Sequence, residues 1–249
     1  MKILHIDIET SPHTVYAWGL FNQNISLNQI IEPTRVLCAA WAWHDVDDMH
    51  FAAEWRHGGR KSMIAKLYAA LNEADAVCHY NGASFDVPHL NREFLEAGYG
   101  PPAPYAQIDL YRTVRRSFKF ASNKLAWVSE VLALGDDGKL KTDMTLWTRV
   151  LDGDAAARSE MQRYNEEDVR LLKELYEQIL PWIAGHPNVG LYDDSLAQPV
   201  CGSCGSTHVV KEGFSYTAAG KYQRYSCKGC GKWLRAAKRM DTTELRETR

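Results

Sequence analysis

The sequence predicts an α/β protein with a mixed sheet flanked by helices, followed by a small metal-held module. Three observations carry this expectation. Three β-like runs open the chain, at Lys2–Ile8, Thr34–Trp43 and Asp48–Trp55. Strand-like and helical patterns then alternate before the chain turns wholly helical, the order that builds a sheet with helices on its faces. Late in the chain, four of the six cysteines fall into two Cys-x-x-Cys pairs.

Composition bounds the rest. The 249 residues are 45% hydrophobic and 11% aromatic, enough for one large domain plus an appendage. No apolar run approaches the roughly 18–20 residues of a membrane span. The start of the chain lacks the charged, apolar and small-residue order of a signal peptide, which places the protein in the cytosol, bacterial or of a phage-infected host. The net charge of −2 conceals an asymmetry: residues 1–199 carry −8 and residues 200–249 carry +6. An acidic body with a basic C-terminal region suits a metal site together with a nucleic-acid contact, or a plain solvated imbalance. Cys38 and Cys78 lie in apolar runs and read as core thiols.

In order along the chain, the apolar run Lys2–Ile6 leads into Ile6-Asp7-Ile8-Glu9-Thr10, whose strict alternation puts Ile6 and Ile8 on one strand face and Asp7 and Glu9 on the other. Residues 11–33 read as irregular, with Tyr16, Trp18 and Phe21 expected mostly in core packing, or else free to stack on terminal bases. Thr34–Trp43 and Asp48–Trp55 read as a hairpin, giving the sheet an antiparallel start. Lys61–Leu71 has helical spacing, Ala76–Tyr80 is a short buried strand, and a helix is expected from about Phe85 to Ala97, ended by Gly98. Ile108–Tyr111 reads as a strand leading into a basic helix. Ser122 reads as the N-cap of a helix through Leu134, with Leu125, Val128, Val131 and Leu132 inward. Gly135–Gly138 reads as a turn. Asp143–Leu151, Ala155–Tyr164 and Glu166–Ile183 read as helices, and residues 185–199 as a linker.

Candidate chemistry begins at Asp7 and Glu9. Two carboxylates two apart on a strand point the same way, about 6–7 Å apart at Cβ. Like charges so close favour a cation between them, and hard oxygen ligands suit Mg²⁺ or Mn²⁺. Asp86 follows a strand end at a helix N-terminus, where α/β folds place their sites, although a capping acid sits there equally well. Asp168 lies beside Val169, Leu171 and Leu172, so its helix face is close to the buried side. Tyr164 shares that face four residues earlier, and Glu166 and Glu167 are expected toward solvent. Asp109 reads as a cap. Arg112, Arg115, Arg116 and Lys124 are candidates for steering phosphates.

Taken together, Asp7-Ile8-Glu9-Thr10, Asn81-Gly82-Ala83-Ser84-Phe85-Asp86 and Tyr164-Asn165-Glu166-Glu167-Asp168 resemble the three motifs of the DEDD superfamily of 3′–5′ exonucleases, in its DEDDy form. This group is DnaQ-like and ribonuclease H-like in fold. The second motif, with Ser122-Asn123-Lys124-Leu125 and Lys139–Met144, is similar to proofreading domains of family B DNA polymerases. The resemblance spans residues 1 to about 183, and no polymerase-sized region follows. It implies a ribonuclease H-like sheet. It also implies Asp7, Glu9, Asp86 and Asp168 as ligands of two Mg²⁺ or Mn²⁺ ions, Tyr164 as the residue that orients the attacking water, and Asn81 as a substrate contact. Two metals about 3.5–4 Å apart can activate water and stabilise the leaving oxygen. A tyrosine, deprotonating near about pH 10, suits alignment better than base catalysis.

Cys201-Gly202-Ser203-Cys204 and Cys227-Lys228-Gly229-Cys230 stand 22 residues apart, each pair followed by a glycine, Gly205 and Gly231. Four thiolates suit a structural, tetrahedral Zn²⁺, and roughly forty residues bury too little core to fold without one. The module resembles a zinc ribbon. Tyr222, Arg224, Tyr225 and Trp233 interleave basic and aromatic side chains there, a composition suited to single-stranded nucleic acid; docking of replication or repair proteins is the other use of such a module.

The sequence thus reads as residues 1–184, a ribonuclease H-like domain; 185–199, a linker; 200–236, a zinc ribbon; and 237–249, a charged tail. The function implied is a metal-dependent 3′–5′ exonuclease hydrolysing phosphodiester bonds of single-stranded DNA or DNA 3′ ends by a two-metal-ion mechanism, with the zinc ribbon aiding binding. The alternatives are a 3′–5′ exoribonuclease, a structure-specific endonuclease and a non-catalytic nucleic-acid-binding adaptor. No membrane association is expected.

Overall fold

The computed structural model describes residues 1–135, 142–192, 195 and 199–245. The expected turn at Gly135–Gly138 beyond its first residue, half of the Lys139–Met144 resemblance, part of the linker and the end of the tail lie outside them. The chain divides into two compact units, Lys2–Leu175 and Tyr176–Arg249 with Met1.

The first unit is built on a five-stranded mixed sheet. Its elements are β1 Ile3–Thr10, β2 Thr14–Val15, β3 Ile30–Glu32, β4 Val36–Trp43, β5 Met49–Ala53, α1 Gly59–Glu73, β6 Ala76–His79, α2 Asp86–Glu96, β7 Ala106–Asp109, α3 Leu110–Ser117, α4 Leu125–Leu132, α5 Met144–Leu151 and α6 Ala155–Ile179. The sheet order is β5-β4-β1-β6-β7. β4 pairs antiparallel with β1 and β5, while β6 pairs parallel with β1 and β7. The antiparallel start and the βα alternation after it are those the sequence predicts. β1 sits centrally, so it is covered on both faces.

Alternation on β1 divides the core. Leu4, Ile6 and Ile8 join Ala39 and Trp41 of β4, then Met63, Ile64, Leu67 and Leu71 of α1 and Leu90 and Phe94 of α2. On the other face, Glu9 stands opposite Cys38 and Asp7 opposite Ala40, and directly paired residues of a ladder point the same way. Cys38 packs with Ala157, Met161 and Tyr164, and Ala40 with Val169. That face is therefore covered by α6. Both core thiols, Cys38 and Cys78, are fully buried.

Several expectations are corrected. Residues 11–33 are not wholly irregular: β2 and β3 form a small hairpin, closed where Tyr16 N–H donates to Gln29 O and the Gln29 side-chain amide donates back to Tyr16 O. Beyond it, Tyr16, Trp18 and Phe21 are not in a core. Trp18 is 101% exposed and Phe21 83%, because the hairpin holds the loop away from the sheet by its base alone. The strand before the basic helix ends at Asp109, whose carboxylate caps α3 by accepting from Arg112 N–H, so Tyr111 is helical. Asp109 is thus the cap expected of it. Ser122 does not cap α4; Lys124 occupies the N-cap position, and Ser122 Oγ accepts from the Lys124 N–H. Val131 is exposed, and Ser129 is buried in its place. The helices expected at Ala155–Tyr164 and from Glu166 are one, because no glycine or proline interrupts them. α6 stops at Ile179, two residues before Pro181, which cannot donate to the helix ladder.

In the second unit, β8 Val209–Thr217, β9 Gly220–Cys227 and β10 Trp233–Asp241 form an antiparallel sheet in the order β10-β9-β8. β10 runs five residues into the stretch read as a charged tail. Its first turn is also tied to the segment before it: Val189 N–H donates to Gly202 O at 2.8 Å, and Lys232 Nζ donates to Leu180 O and Ile183 O. Among the described residues, no helix is long and apolar enough to cross a membrane.

One buried charge pins the first unit. Glu93 of α2, fully buried, accepts from Val36 N–H at the start of β4 at 3.0 Å and pairs with Arg60 of α1 and with Arg92. Removing the buried carboxylate leaves Val36 N–H without its acceptor and takes the counter-charge from two part-exposed arginines. Glu93→Ala is expected to lower unfolding free energy by about 1–3 kcal/mol, read as a drop in the urea midpoint at unchanged slope. A shift within experimental error would show that the arginines find solvent instead.

Candidate active site

The site forms where β1 meets α6. Asp7 and Glu9 point from alternate positions of β1 toward the helix, and Asp168 comes down from it. One carboxylate oxygen from each of the three lies within 4.8 Å of the others. Asp168 is buried; Asp7 and Glu9 are half-buried. Three hard oxygen donors at that separation, partly withdrawn from water, match the donor set of Mg²⁺ or Mn²⁺. The donor set therefore fits the divalent cations implied by the sequence.

Asp86 stands differently. It is the first residue of α2 and is buried, and its Oδ1 accepts from Ile8 N–H at 3.2 Å, on the backbone between Asp7 and Glu9. That hydrogen bond turns it to the strand, and it is not part of the three-carboxylate group. Burial raises its pKa to about 7, against the lowering effect of the Ile8 hydrogen bond. A carboxyl so placed needs a positive partner to ionise fully.

The turn that delivers Asp86 is tightly built. Asn81 adopts a left-handed conformation with φ 66°, which asparagine tolerates. A Cβ on Gly82 would meet His79 Cγ at 2.6 Å and Asp86 Oδ2 at 2.9 Å, so only glycine fits. Gly82 N–H donates to His79 Nδ1 at 3.0 Å, which leaves Nε2 to donate to Gln107 Oε1 at 3.1 Å. Burial lowers the pKa of His79, in keeping with this neutral tautomer. Asn81 N–H is held by Asp109 Oδ1, and Asn81 Oδ1 accepts from Ser84 Oγ.

Of the other sequence candidates, Tyr164 lies one helical turn before Asp168. It is 8% exposed, with its ring edge-on to Trp147. Asn81 and Lys124 line one open cleft with Tyr80, Tyr111, Asn123 and Leu125. Glu166 and Glu167 are half-buried rather than fully solvated.

Asn165 is the residue that sequence reasoning passed over. It is fully buried, and its Nδ2 donates to Asp7 Oδ2 at 2.6 Å and to Asp7 O at 3.2 Å. Both amide hydrogens go to one residue, which fixes where the Asp7 carboxylate points. Its spacing three before Asp168 placed it on the same helix face, but being uncharged it drew no attention.

The cysteine cluster forms separately in the second unit. Cys201, Cys204, Cys227 and Cys230 have all their sulfurs within 4.8 Å. Cys201 and Cys230 are 3.7 Å apart, and Cys204 and Cys227 are 3.6 Å apart. Tetrahedral Zn–S bonds of about 2.3 Å imply sulfurs about 3.8 Å apart, whereas a disulfide requires about 2 Å. Two matching knuckles shape the cluster: Gly205 N–H donates to Cys201 O and Gly231 N–H to Cys227 O, both glycines at positive φ. Burial alone would raise the Cys227 thiol, but the N–H groups of Cys230 and Gly229 bring it down to about 7. The sheet and its Cys₄ cluster fit a zinc ribbon. Of the four interleaved residues, Tyr222, Arg224 and Trp233 share one face of this sheet, while Tyr225 lies on the other.

Among solved structures, the chain is similar to the family B DNA polymerase of the hyperthermophilic archaeon Pyrobaculum calidifontis, with 20% identity and a TM-score of 0.55. That match covers 72% of this chain and 24% of the polymerase, so the shared part is a fold and about a quarter of the larger protein. A search of the curated proteins finds no match. The RNase_H superfamily model matches residues 4–180, which hold the mixed sheet and every carboxylate described above. By that match the chain belongs to the RNase H superfamily.

Proposed function

We propose that the protein is a metal-dependent 3′–5′ exonuclease of the DEDDy type acting on single-stranded DNA, in a reducing, cytosolic compartment that keeps its thiols free. The observation that carries this reading is the convergence of Asp7 and Glu9 from β1 with Asp168 from α6, their oxygens within 4.8 Å. A nuclease reading also follows from the superfamily. The similarity to a family B DNA polymerase favours DNA, and the resemblance of the three motifs to DEDDy exonucleases favours the 3′–5′ direction.

In this reading Asp7, Glu9 and Asp168 hold the cations, and Asp86, carried to the same stretch of β1, completes the set. When bound, a pair of divalent cations supplies a nucleophile from water at neutral pH and stabilises charge on the leaving 3′-oxygen. Asn165 keeps the Asp7 carboxylate aimed, so less reorganisation is left to the moment of reaction. Tyr164 aligns the attacking water by hydrogen bonding. Asn81 and Lys124 hold the strand near its end from their shared cleft. Tyr16, Trp18 and Phe21, standing in solvent, are available to stack on terminal bases. In the second unit, Zn²⁺ on the four cysteines holds the ribbon, whose basic surface adds affinity for the strand.

A gel time course on 5′-labelled single-stranded DNA tests the assignment, run with Mg²⁺, Mn²⁺ or EDTA. A ladder shortening from the 3′ end, dependent on metal and absent in Asp7→Ala, is expected. Internal cutting of a 3′-blocked strand would make the protein an endonuclease, and degradation of matched RNA in preference to DNA would change the substrate.

Asn165→Ala is expected to weaken Mn²⁺ binding and hydrolysis about 10–100-fold, and to lower the Tm without metal as Asp7 loses its buried donor. Calorimetric Mn²⁺ titration of the variant would read this; unchanged affinity would reduce Asn165 to a packing residue.

Removing zinc with a chelator, or Cys201→Ser, is expected to raise KM for a long single strand well above any change in kcat. Equal KM with and without zinc would assign the module to another role.

A further inference from the structure

We propose that one face of the C-terminal sheet is a binding platform for single-stranded nucleic acid, made by Trp233, Arg224, Arg235, Tyr222 and Arg239. The proposal deepens the reading of this chain as a nuclease of single strands and rests on it for the choice of ligand.

The register assembles the face. On β9, positions 222, 224 and 226 point one way, and 221, 223 and 225 the other. Trp233 stands opposite Ser226, Arg235 opposite Arg224, and Arg239 opposite Tyr222. Directly paired residues share a side, so three arginines and two aromatics fall on one face. They interlock: the Arg224 guanidinium lies 4.7 Å from the Trp233 ring centroid, and that of Arg235 lies 4.4 Å from the Tyr222 ring. From position 222 to position 226 the ladder is about 13 Å long.

The opposite face differs. It holds Lys211, Lys221 and Leu234 with the rings of Tyr225, Phe214 and Tyr216, and Lys221 Nζ lies 4.0 Å from the Phe214 ring; lysines stand where the first face has arginines, and Asp241 stands opposite Lys221. Val209, Tyr225 and Leu234 there line a recess with Asn188 and Val200. Its carboxylate offsets one of its positive charges, and Tyr225 is drawn into a partly apolar setting. The acid that reaches the first face, Glu212 of β8, is paired with Lys228, whose Nζ also donates to Ser226 Oγ there.

Chemistry selects the ligand. A guanidinium stacked on a ring still offers in-plane N–H donors to a phosphate, and an exposed ring offers a stacking surface to a base. Trp233 is 55% exposed, and Arg224, Arg235 and Arg239 are exposed as well. A duplex keeps its base faces within its own stack and leaves the rings unused. An acidic peptide would engage the arginines and gain nothing from the rings. Only an unpaired strand uses both.

The test is fluorescence anisotropy of a fluorescein-labelled oligothymidylate with the full-length Asp7→Asn protein. Zinc is kept and no Mg²⁺ or Mn²⁺ is added, so binding is read apart from hydrolysis. Trp233→Ala is expected to weaken binding at least about fivefold. Arg235→Ala is expected to lower the slope of log affinity against log salt by about 0.7. Lys211→Ala and Lys221→Ala remove the same charge from the opposite face and are expected to stay within about twofold of the parent, as the lost phosphate contact is absent there. One zinc per chain and an unchanged Tm certify each variant. Equal losses from both faces would overturn the platform in favour of net charge alone, as would full binding by Trp233→Ala. Equal affinity for a duplex, or competition by an acidic peptide at matched charge, would overturn the choice of ligand. Face-specific binding without any hydrolysis in the gel assay would refute the nuclease reading while the platform stands; hydrolysis without face-specific binding would do the reverse.

Discussion

The cover that α6 lays over one face of β1 is the constraint on which the first unit depends. β1 is central, so a face bearing Asp7 and Glu9 cannot simply be left in water. The helix that closes it must carry apolar residues toward β4, through Met161, Tyr164 and Val169, and polar ones toward β1, through Asn165 and Asp168. Withdrawing carboxylates from water is costly unless they gain donors or cations. The Asn165 amide meets part of that cost at Asp7. A divalent cation fits the remainder, since it takes oxygens from several carboxylates at once.

The other face of the same strand explains why the arrangement holds its shape. Ile6 and Ile8 bury against α1 and α2, and α2 begins with Asp86 hydrogen-bonded to the backbone between the two β1 acids. The packing of an ordinary apolar core thus fixes the distance between a strand and a helix start, and with it the place of a fourth carboxylate. Gly82 and His79 make the turn rigid enough for this to matter. The Glu93 network locks α1, α2 and the start of β4 together from below the same helix.

The second unit is stabilised by different means. Its three-stranded sheet is largely exposed, and few of its side chains are buried beyond Cys201, Cys227 and the serines beside them. Two knuckles of matching geometry bring four sulfurs to the separations of a tetrahedral site. A metal on those sulfurs would supply the stability that a core supplies elsewhere, which leaves both faces of the sheet to carry chemistry, and one of them concentrates arginine.

Much of this was legible in the sequence. Strand alternation over Ile6–Thr10 put Asp7 and Glu9 on one face, helical spacing joined Tyr164 to Asp168, and Cys-x-x-Cys pairs marked the cysteine cluster, because each is a local pattern with a fixed geometric meaning. The sheet class followed from the order of those patterns. What the sequence did not show depended on partners distant along the chain. Asn165 matters only because folding brings it 158 positions back to Asp7. Asp86 faces Ile8 rather than joining the other three acids because a backbone N–H stands nearer. Trp18 and Phe21 look like core residues by composition and stand in solvent because a two-strand hairpin holds their loop clear. Tyr225 parts from Tyr222 and Trp233 because strand register, set by pairing across three strands, decides which side chains share a face. Local propensity determined the elements and the identity of the acids and thiols; only tertiary structure decided which of them meet, since burial and hydrogen bonding are settled between segments that the sequence keeps far apart.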